Sequence, residues 1–457
     1  MDQQQSDKTY FLWTVGCQMN VADSNYIGAA LDGRGYAATA QMEGADVVVL
    51  NSCSVRASAE ERIAGKLGEL AGLKRRRPNT FVALTGCMVT DDQTTLKRRF
   101  PMVDLFFKPS AMRDFLVGLP DNSAPDLGEY GVSLALEGLL PNAQAGAVAA
   151  YIPIIYGCNK TCTYCIVPFR RGRERSRTIP EIVREITGLT ERGVREVTLL
   201  GQNVDTYGHD LAPRTDLADL LIAVNEVPKL DRIRFLTSHP KDMSQRLLDT
   251  VAVVPKACEH INLPVQAGDD EMLRRMRRRY TLRYYHDLVR RIRETIPNVT
   301  LATDIIVGFP GETAAQFENT LGLLREVRFD KVHVAAYSPR PGTVSATWED
   351  DVPREEKMRR LQAIETLQEQ MGRELNAPLV GTTMEVLVEA RERGKWTGRT
   401  RGNKIVFFPG AAGDPHRGQV RRVQITAAGA WSLTGELADA VPAVGPGTQF
   451  ELLAVGA

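Results

Sequence analysis

Tyr151-Ile-Pro-Ile-Ile-Tyr-Gly-Cys158-Asn-Lys-Thr-Cys162-Thr-Tyr-Cys165 runs from an apolar stretch into three cysteines within eight residues. The apolar stretch, closed by Gly157, reads as a buried strand. A chance triple at this fixed spacing is expected about 0.002 times in a chain of this cysteine content. Thiols so close in sequence do not suit a disulfide framework, and the total of 7 Cys is odd, so the three read as reduced metal ligands. Ferredoxin-type runs close a 4Fe-4S cube with a fourth cysteine. None follows nearby here. Three thiolates leave one iron open to a small bidentate ligand, which makes the cube a reaction centre. The competing occupant is zinc, which would need a fourth Cys or His, and His209, His239, His260 and His286 are isolated and show no ligand spacing.

Five more strand patterns follow, at 196–200, 232–236, 260–265, 299–307 and 331–337, each trailed by a helical or loop stretch. Six β-α units predict an α/β domain over 151–376 built as an open or partial (β/α)6 barrel. Upstream, Tyr10-Phe-Leu-Trp-Thr-Val-Gly-Cys17, Asp46-Val-Val-Val-Leu-Asn-Ser-Cys53 and Thr80-Phe-Val-Ala-Leu-Thr-Gly-Cys87 are apolar runs that each end in cysteine, 34 to 36 residues apart. That is the period of a β-α unit with parallel strands buried on both faces. Residues 1–116 are therefore expected to form a doubly wound parallel domain with Cys17, Cys53 and Cys87 converging at the carboxyl edge of its sheet. The stretch 117–150, with Pro120, Pro125 and Pro141, reads as a linker. Met358, Leu361, Ile364, Leu367, Met371 and Leu375 recur at helical spacing and predict a packing helix. Beyond Pro378 come short alternating runs at 383–389, 395–400, 404–408 and 419–425 with glycine turns, predicting a small all-β barrel or sandwich over 377–457.

With 57 Lys+Arg against 56 Asp+Glu and 43% apolar residues, collagen-like, mucin-like and wholly disordered chains are excluded. No window approaches the roughly 18 apolar residues of a membrane span, and the polar amino terminus lacks a secretory pattern, so a cytoplasmic protein with no membrane partner is expected. A net charge of +1 leaves phosphate attraction to local clusters. Phe169-Arg-Arg-Gly-Arg-Glu-Arg-Ser-Arg177, the arginines and tyrosines of 274–285, and Arg391, Arg393, Lys395, Arg399, Arg401 and Lys404 are such clusters.

The Cys-x3-Cys-x-aromatic-Cys motif, with Tyr164 before the last cysteine, resembles that of the radical S-adenosylmethionine enzymes. The resemblance implies a partial barrel whose open iron binds S-adenosyl-L-methionine and, with one electron, yields a 5′-deoxyadenosyl radical. Leu200-Gly201-Gln202-Asn203 and Thr303-Asp-Ile-Ile-Val-Gly308-Phe-Pro-Gly-Glu312 resemble loops that contact the cofactor in such barrels. Across nearly the whole chain, Gly16-Cys-Gln-Met-Asn20, Asn51-Ser-Cys-Ser-Val-Arg56 and Gly86-Cys-Met88 resemble the motifs by which methylthiotransferases hold a second 4Fe-4S cluster, the sulfur donor. The terminal module resembles the RNA-binding barrel called TRAM. Arg171-Gly-Arg-Glu-Arg-Ser-Arg177 and Gly201-Gln-Asn-Val-Asp-Thr-Tyr207 bring the chain nearest the MiaB branch, which implies methylthiolation of carbon 2 of isopentenyladenosine in the tRNA anticodon stem-loop, with two S-adenosylmethionine molecules and a flavodoxin- or ferredoxin-type reductant. The immediate sulfur source, the accepted tRNAs and any general base stay unassigned, and DNA is not an expected partner. Two alternatives stand beside it: methylthiolation of threonylcarbamoyl-adenosine tRNA or of a ribosomal-protein aspartate, and a non-enzymatic iron–sulfur RNA-binding redox sensor. Ser52, Asp205, Ala267-Gly-Asp-Asp270 and Phe107-Lys-Pro-Ser110 depart from the family pattern without touching an expected ligand, and Cys258 reads as a packed core thiol.

Overall fold

The computed structural model describes residues 8–53, 57–90, 92–109, 111–120, 147–410 and 416–438. Most of the expected linker, positions 54–56 of the second cysteine motif and the last nineteen residues of the expected terminal module lie outside them.

Strands β1 (Thr9–Thr14), β2 (Ala37–Ala38), β3 (Val47–Ser52), β4 (Phe81–Gly86) and β5 (Leu105–Phe106) form one parallel sheet in the order β2-β1-β3-β4-β5. Val48, Leu50, Val82 and Leu84 pack on one face against Ile63, Leu67 and Leu70 of the helix Ala57–Arg76. The alternate residues Val47, Val49 and Ala83 pack on the other against Ile27 and Leu31 of the helix Gln18–Asp32. Two-sided burial is why these strands are continuous in apolarity rather than alternating. Chain order reverses between β1 and β3, the switch point at which open α/β sheets bind ligands.

The central domain holds six parallel strands: β6 (Ala149–Pro153), β9 (Glu196–Leu200), β10 (Arg232–Phe235), β11 (His260–Asn262), β12 (Thr300–Val307) and β13 (Lys331–Ala336). They form two halves, β10-β9-β6 and β11-β12-β13, joined where the Ser238 N–H donates to Asn262 O at 3.2 Å and the Cys258 N–H to Ile233 O at 2.9 Å. The expected first strand, 151–156, is split. After Pro153 the chain turns into the short β7 (Ile155–Tyr156), antiparallel to β8 (Arg175–Ser176). One aliphatic core, from Ile152 and Leu199 to Ile305 and Leu324, fills the barrel and its helices.

Strands β14 (Thr383–Glu392), β15 (Lys395–Thr400), β16 (Ile405–Phe408), β17 (Val420–Ala428) and β18 (Ser432–Leu437) close into a small barrel. The fifth strand was not expected from sequence. Ser-Leu-Thr-Gly-Glu-Leu carries only two large apolar residues, too few to stand out from a loop. The packing helix exists, Arg354–Asn376, but with its buried stripe rotated from the expected one. Ile364 and Met371 are buried, Met358 is exposed, and Lys357, Arg360 and Gln368 share the inner face. The cations are matched, Lys357 to Asp350 and Arg360 to Glu312, and the Gln368 amide N–H donates to Asp330 O. A long side chain can be buried where its head finds a partner.

Candidate active site

The loop 157–166 leaves β7 at the carboxyl edge of the central barrel. Its shape is set by backbone hydrogen bonds from the Cys158 N–H to Gly172 O and from the Cys165 N–H to Cys162 O, both 3.1 Å. Thr163 pins it to the helix Asp270–Arg275, its hydroxyl donating to Arg275 O at 2.9 Å. Cys158 is buried, while Cys162 and Cys165 are half-buried. Burial pushes the Cys158 thiol up to about 11 and the Cys165 thiol up to about 12, against the opposing pull of the Lys160 and Val167 N–H groups on the two sulfurs. The Cys162 sulfur faces the buried Arg278 guanidinium at 3.6 Å.

Three thiols on one loop, each within hydrogen-bonding reach of an N–H donor, suit an anionic iron–sulfur cube, whose sulfurs are stabilised by such donors. Among the described residues no three His, Cys, Asp or Glu side chains are gathered around the position of a single metal ion. A cube gives each thiolate its own iron, so it does not require the tight tetrahedron of zinc, with sulfurs about 2.3 Å from one ion.

Both expected cofactor loops lie beside this one. Gly201 packs against Ile155, and Gln202 beside it is half-buried. Asn203 is buried, and its amide N–H donates to Asp242 at 2.8 Å, while the same carboxylate oxygen pairs with Lys160 at 2.6 Å. The Asn203 side-chain oxygen, Oδ1, is left buried with no protein partner among the described residues. His239 lies 3.6 Å from Asp242, but burial pushes it down to about 2, and its Nδ1 accepts the Lys241 N–H, so the contact carries no ion pair. On the other side, Tyr164 meets Phe309 edge to face at 6.4 Å. The expected ligand-facing Glu312 is turned inward, accepting from the Gly308 N–H at 2.5 Å and pairing with Arg360 at 2.7 Å, so it braces its loop.

Asp205, one of the departures, is buried beneath this site. It accepts from the Ser238 hydroxyl at 3.0 Å and the His239 N–H at 2.8 Å, and burial raises it to about 7. Between the unfolded value near 3.8 and the folded value the native protein holds the extra proton, so this group's contribution falls as pH rises. Asp205→Asn keeps both hydrogen bonds by reversing the serine hydroxyl. It is therefore expected to raise the unfolding free energy above pH 7 by at most about 4 kcal/mol, seen as a higher melting temperature, with no gain near about pH 4 in a pH series of thermal melts. Asp269, from a second departure, caps the helix Asp270–Arg275 by accepting the Glu271 and Met272 N–H groups. Ser52 receives the Met88 N–H on its hydroxyl at 3.2 Å, a bond that threonine would make equally.

The second set of cysteines lies along the carboxyl edge of the amino-terminal sheet, around its switch point. Cys17 precedes the helix Gln18–Asp32, Cys53 follows β3 and Cys87 follows β4. Asn20, fully buried, ties two of these loops by donating to Val15 O at 3.0 Å and Ser52 O at 2.7 Å, and the Cys17 thiol faces its carbonyl at 3.7 Å. Gly16 and Gly86 have φ of +137° and +93°, and a Cβ on Gly86 would stand 2.1 Å from Ser52 O. Gly86→Ala is accordingly expected to destabilise the amino-terminal domain by about 3 kcal/mol in urea denaturation, from backbone strain and overpacking together.

The family profile described as the Radical SAM superfamily matches residues 152–324, that of Uncharacterized protein family UPF0004 residues 9–108, and that of the TRAM domain residues 378–438. The chain is 52% identical over 437 residues to a tRNA-2-methylthio-N(6)-dimethylallyladenosine synthase of Roseiflexus sp. (strain RS-1), covering 94% of this chain and 90% of that one. It is 50% identical to the protein of that name in Herpetosiphon aurantiacus, covering 95% and 99%. The chain belongs to the tRNA-2-methylthio-N(6)-dimethylallyladenosine synthase family. Among solved structures, the radical S-adenosylmethionine methyltransferase TsrM of Kitasatospora setae, with cobalamin and a [4Fe-4S] cluster bound, shares the fold, with a TM-score of 0.53 at 13% identity over 85% of this chain and 80% of that one.

For a member of this synthase family the disposition of its basic residues differs from the sequence expectation. Arg399, Arg401 and Lys404 do not face outward as a phosphate patch. They pair with Glu389, Glu259 and Asp330, and the turn after β15 is clamped under the amino-terminal ends of the central strands, where Arg234 donates to Thr400 O and Arg401 O. Arg171 and Arg177 turn into the domain interface, and Arg278 turns to Cys162. Arg173, Arg175, Arg277, Arg283, Arg391, Arg393 and Lys395 remain exposed. Sequence reading missed Asp242 and the inward roles of Arg171 and Arg278. For the two arginines the only signal was an arginine run, which does not reveal which side chains find carboxylates, and nothing around Asp242 marks it in the sequence. Cys258 is a packed core thiol as expected, 1% exposed.

Proposed function

We propose that this chain installs a methylthio group at carbon 2 of isopentenyladenosine in the anticodon stem-loop of tRNA, with Cys158, Cys162 and Cys165 holding the catalytic 4Fe-4S cluster and Cys17, Cys53 and Cys87 a sulfur-donating one. The working division is 1–116 for the auxiliary-cluster domain, 117–150 for the linker, 151–376 for the radical S-adenosylmethionine domain and 377–457 for the RNA-binding module. When bound, the catalytic cluster and S-adenosylmethionine together supply the one-electron chemistry that removes a hydrogen too weakly acidic for a side-chain base.

The chain's own residues do the placing. Asn203, oriented by Asp242, offers its unpartnered Oδ1 to a hydrogen-bond donor of the cofactor, and Gly201, Gln202 and Gly308 line the same approach. Tyr164 backs the cluster loop, and Glu312 supports the Gly308 turn from behind. Arg278 compensates the charge of the ligated Cys162 thiolate. The exposed arginines fit a phosphate backbone. Among the described residues no helix is long and apolar enough to cross a membrane. A cytoplasmic setting and a flavodoxin- or ferredoxin-type electron donor complete the proposal.

The observation that supports this reading most is the near-full-length identity to named synthases, carried on a chain with six cysteines at the carboxyl edges of two adjoining sheets. Expression in a strain lacking its own synthase tests it by mass spectrometry of tRNA nucleosides. The 2-methylthio-isopentenyl nucleoside should appear. A methylthio group only on the threonylcarbamoyl nucleoside, or none on RNA, would overturn the substrate.

A further inference from the structure

Between the two cysteine sets lies one buried cation. Arg171 ends the five-residue helix Val167–Arg171 that starts directly behind Cys165. Its side chain, 6% exposed, crosses into the amino-terminal domain. There one guanidinium nitrogen donates to Asp23 Oδ2 at 2.8 Å and to Asn20 Oδ1 at 3.0 Å. Asn20 is the residue that ties the Cys17 and Cys53 loops, and its carbonyl also faces the Cys17 thiol. The guanidinium thus stands one side chain from the Cys17 sulfur, across the Asn20 carbonyl that both of them face. The interface around it is closed by Arg177, which pairs with Glu185 at 2.6 Å while Tyr26 donates to the same carboxyl at 2.7 Å. Met19 and Ala22 pack there on Leu200, next to the Gly201 loop.

A buried ion pair is poor evidence of stabilisation, because apolar residues of like volume often do as well. Arg171 also does more than pair with Asp23, since it holds Asn20, the residue that ties the Cys17 and Cys53 loops. A cationic donor beside an iron–sulfur cluster favours the reduced form. A planar fork holds several acceptors in one geometry in a way that an ammonium cannot.

We infer that Arg171 is a positioning residue that couples the two centres, fixing the auxiliary-cysteine loops against the catalytic loop and tuning the potential of the auxiliary cluster. The inference rests on the two-cluster reading above. Its test uses the reconstituted full-length protein and the variants Arg171→Gln, which loses charge and fork, and Arg171→Lys, which loses the fork alone. Iron content, 5′-deoxyadenosine formation, methylthio product and the auxiliary-cluster potential from an EPR-monitored redox titration are measured in each.

Both variants should keep about eight irons and form 5′-deoxyadenosine at about the wild-type rate, while methylthio product falls roughly 10- to 100-fold, as for other residues behind metal ligands. The auxiliary potential should move negative, further in Arg171→Gln than in Arg171→Lys. A purely structural salt bridge would not produce that graded shift. Eight irons with wild-type potential and coupling in both variants would overturn the inference. So would equal loss of both activities. Wild-type protein that loads only four irons would instead defeat the two-cluster reading, and this inference with it.

Discussion

Cys158→Ala is expected to abolish reductive cleavage of S-adenosylmethionine and, with it, every trace of methylthiolated tRNA. The thiol begins the catalytic loop, is buried, and has its backbone N–H fixed on Gly172 O. An alanine leaves no ligand on that side of the cube, and no other cysteine of the central domain can replace it, because Cys258 is packed in the core at the opposite ends of the strands beside Arg232 and Arg234. Iron should fall from about eight to about four per chain, the count of one remaining three-cysteine cube. Anaerobic reconstitution followed by iron analysis and liquid chromatography of 5′-deoxyadenosine checks both. Retained cleavage would show that Cys158 is not a ligand.

Cys87→Ala should separate what Cys158→Ala removes together. Its thiol follows β4, in the amino-terminal domain, and not the loop that carries the catalytic cysteines. The catalytic triad is untouched, so 5′-deoxyadenosine should still form within about twofold of wild type, as expected of separate sites. With a sulfur-donor ligand gone, methylthio product should be lost and iron should drop to about four. A variant that cleaves S-adenosylmethionine and still methylthiolates tRNA would exclude the amino-terminal cysteines from sulfur transfer.

The parts of this fold that were legible in the sequence are those written in short-range pattern. Continuous apolar runs such as Val47 to Leu50 report strands buried on both faces, and each of the three amino-terminal runs leads to a cysteine at one sheet edge. Cysteine spacing in 158–165 is itself a local signal, since one loop presents all three thiols. Less legible were features decided by a partner far along the chain. Arg401 looks identical, in sequence, to a phosphate-binding arginine, and only folding reveals Glu259 beside it. Lys357 and Arg360 interrupt an apolar periodicity yet lie on the buried face, because Asp350 and Glu312 receive them. The Glu312 carboxylate is the converse case: the loop motif suggested a ligand contact, and the fold spends it on Gly308 and Arg360. Hydrophobic period reads burial of side chains without charge, and it is silent on burial of charges in pairs.

The most direct measurement is Mössbauer spectroscopy on the ⁵⁷Fe-loaded variant in which Cys17, Cys53 and Cys87 are all alanine, before and after S-adenosylmethionine is added. Only the cube on Cys158, Cys162 and Cys165 would be present. One iron of its four should change its isomer shift on addition, the signature of a site with no protein ligand being filled by the amino and carboxylate groups of the cofactor. A spectrum that does not respond, or zinc in place of iron on those three thiolates, would contradict the account.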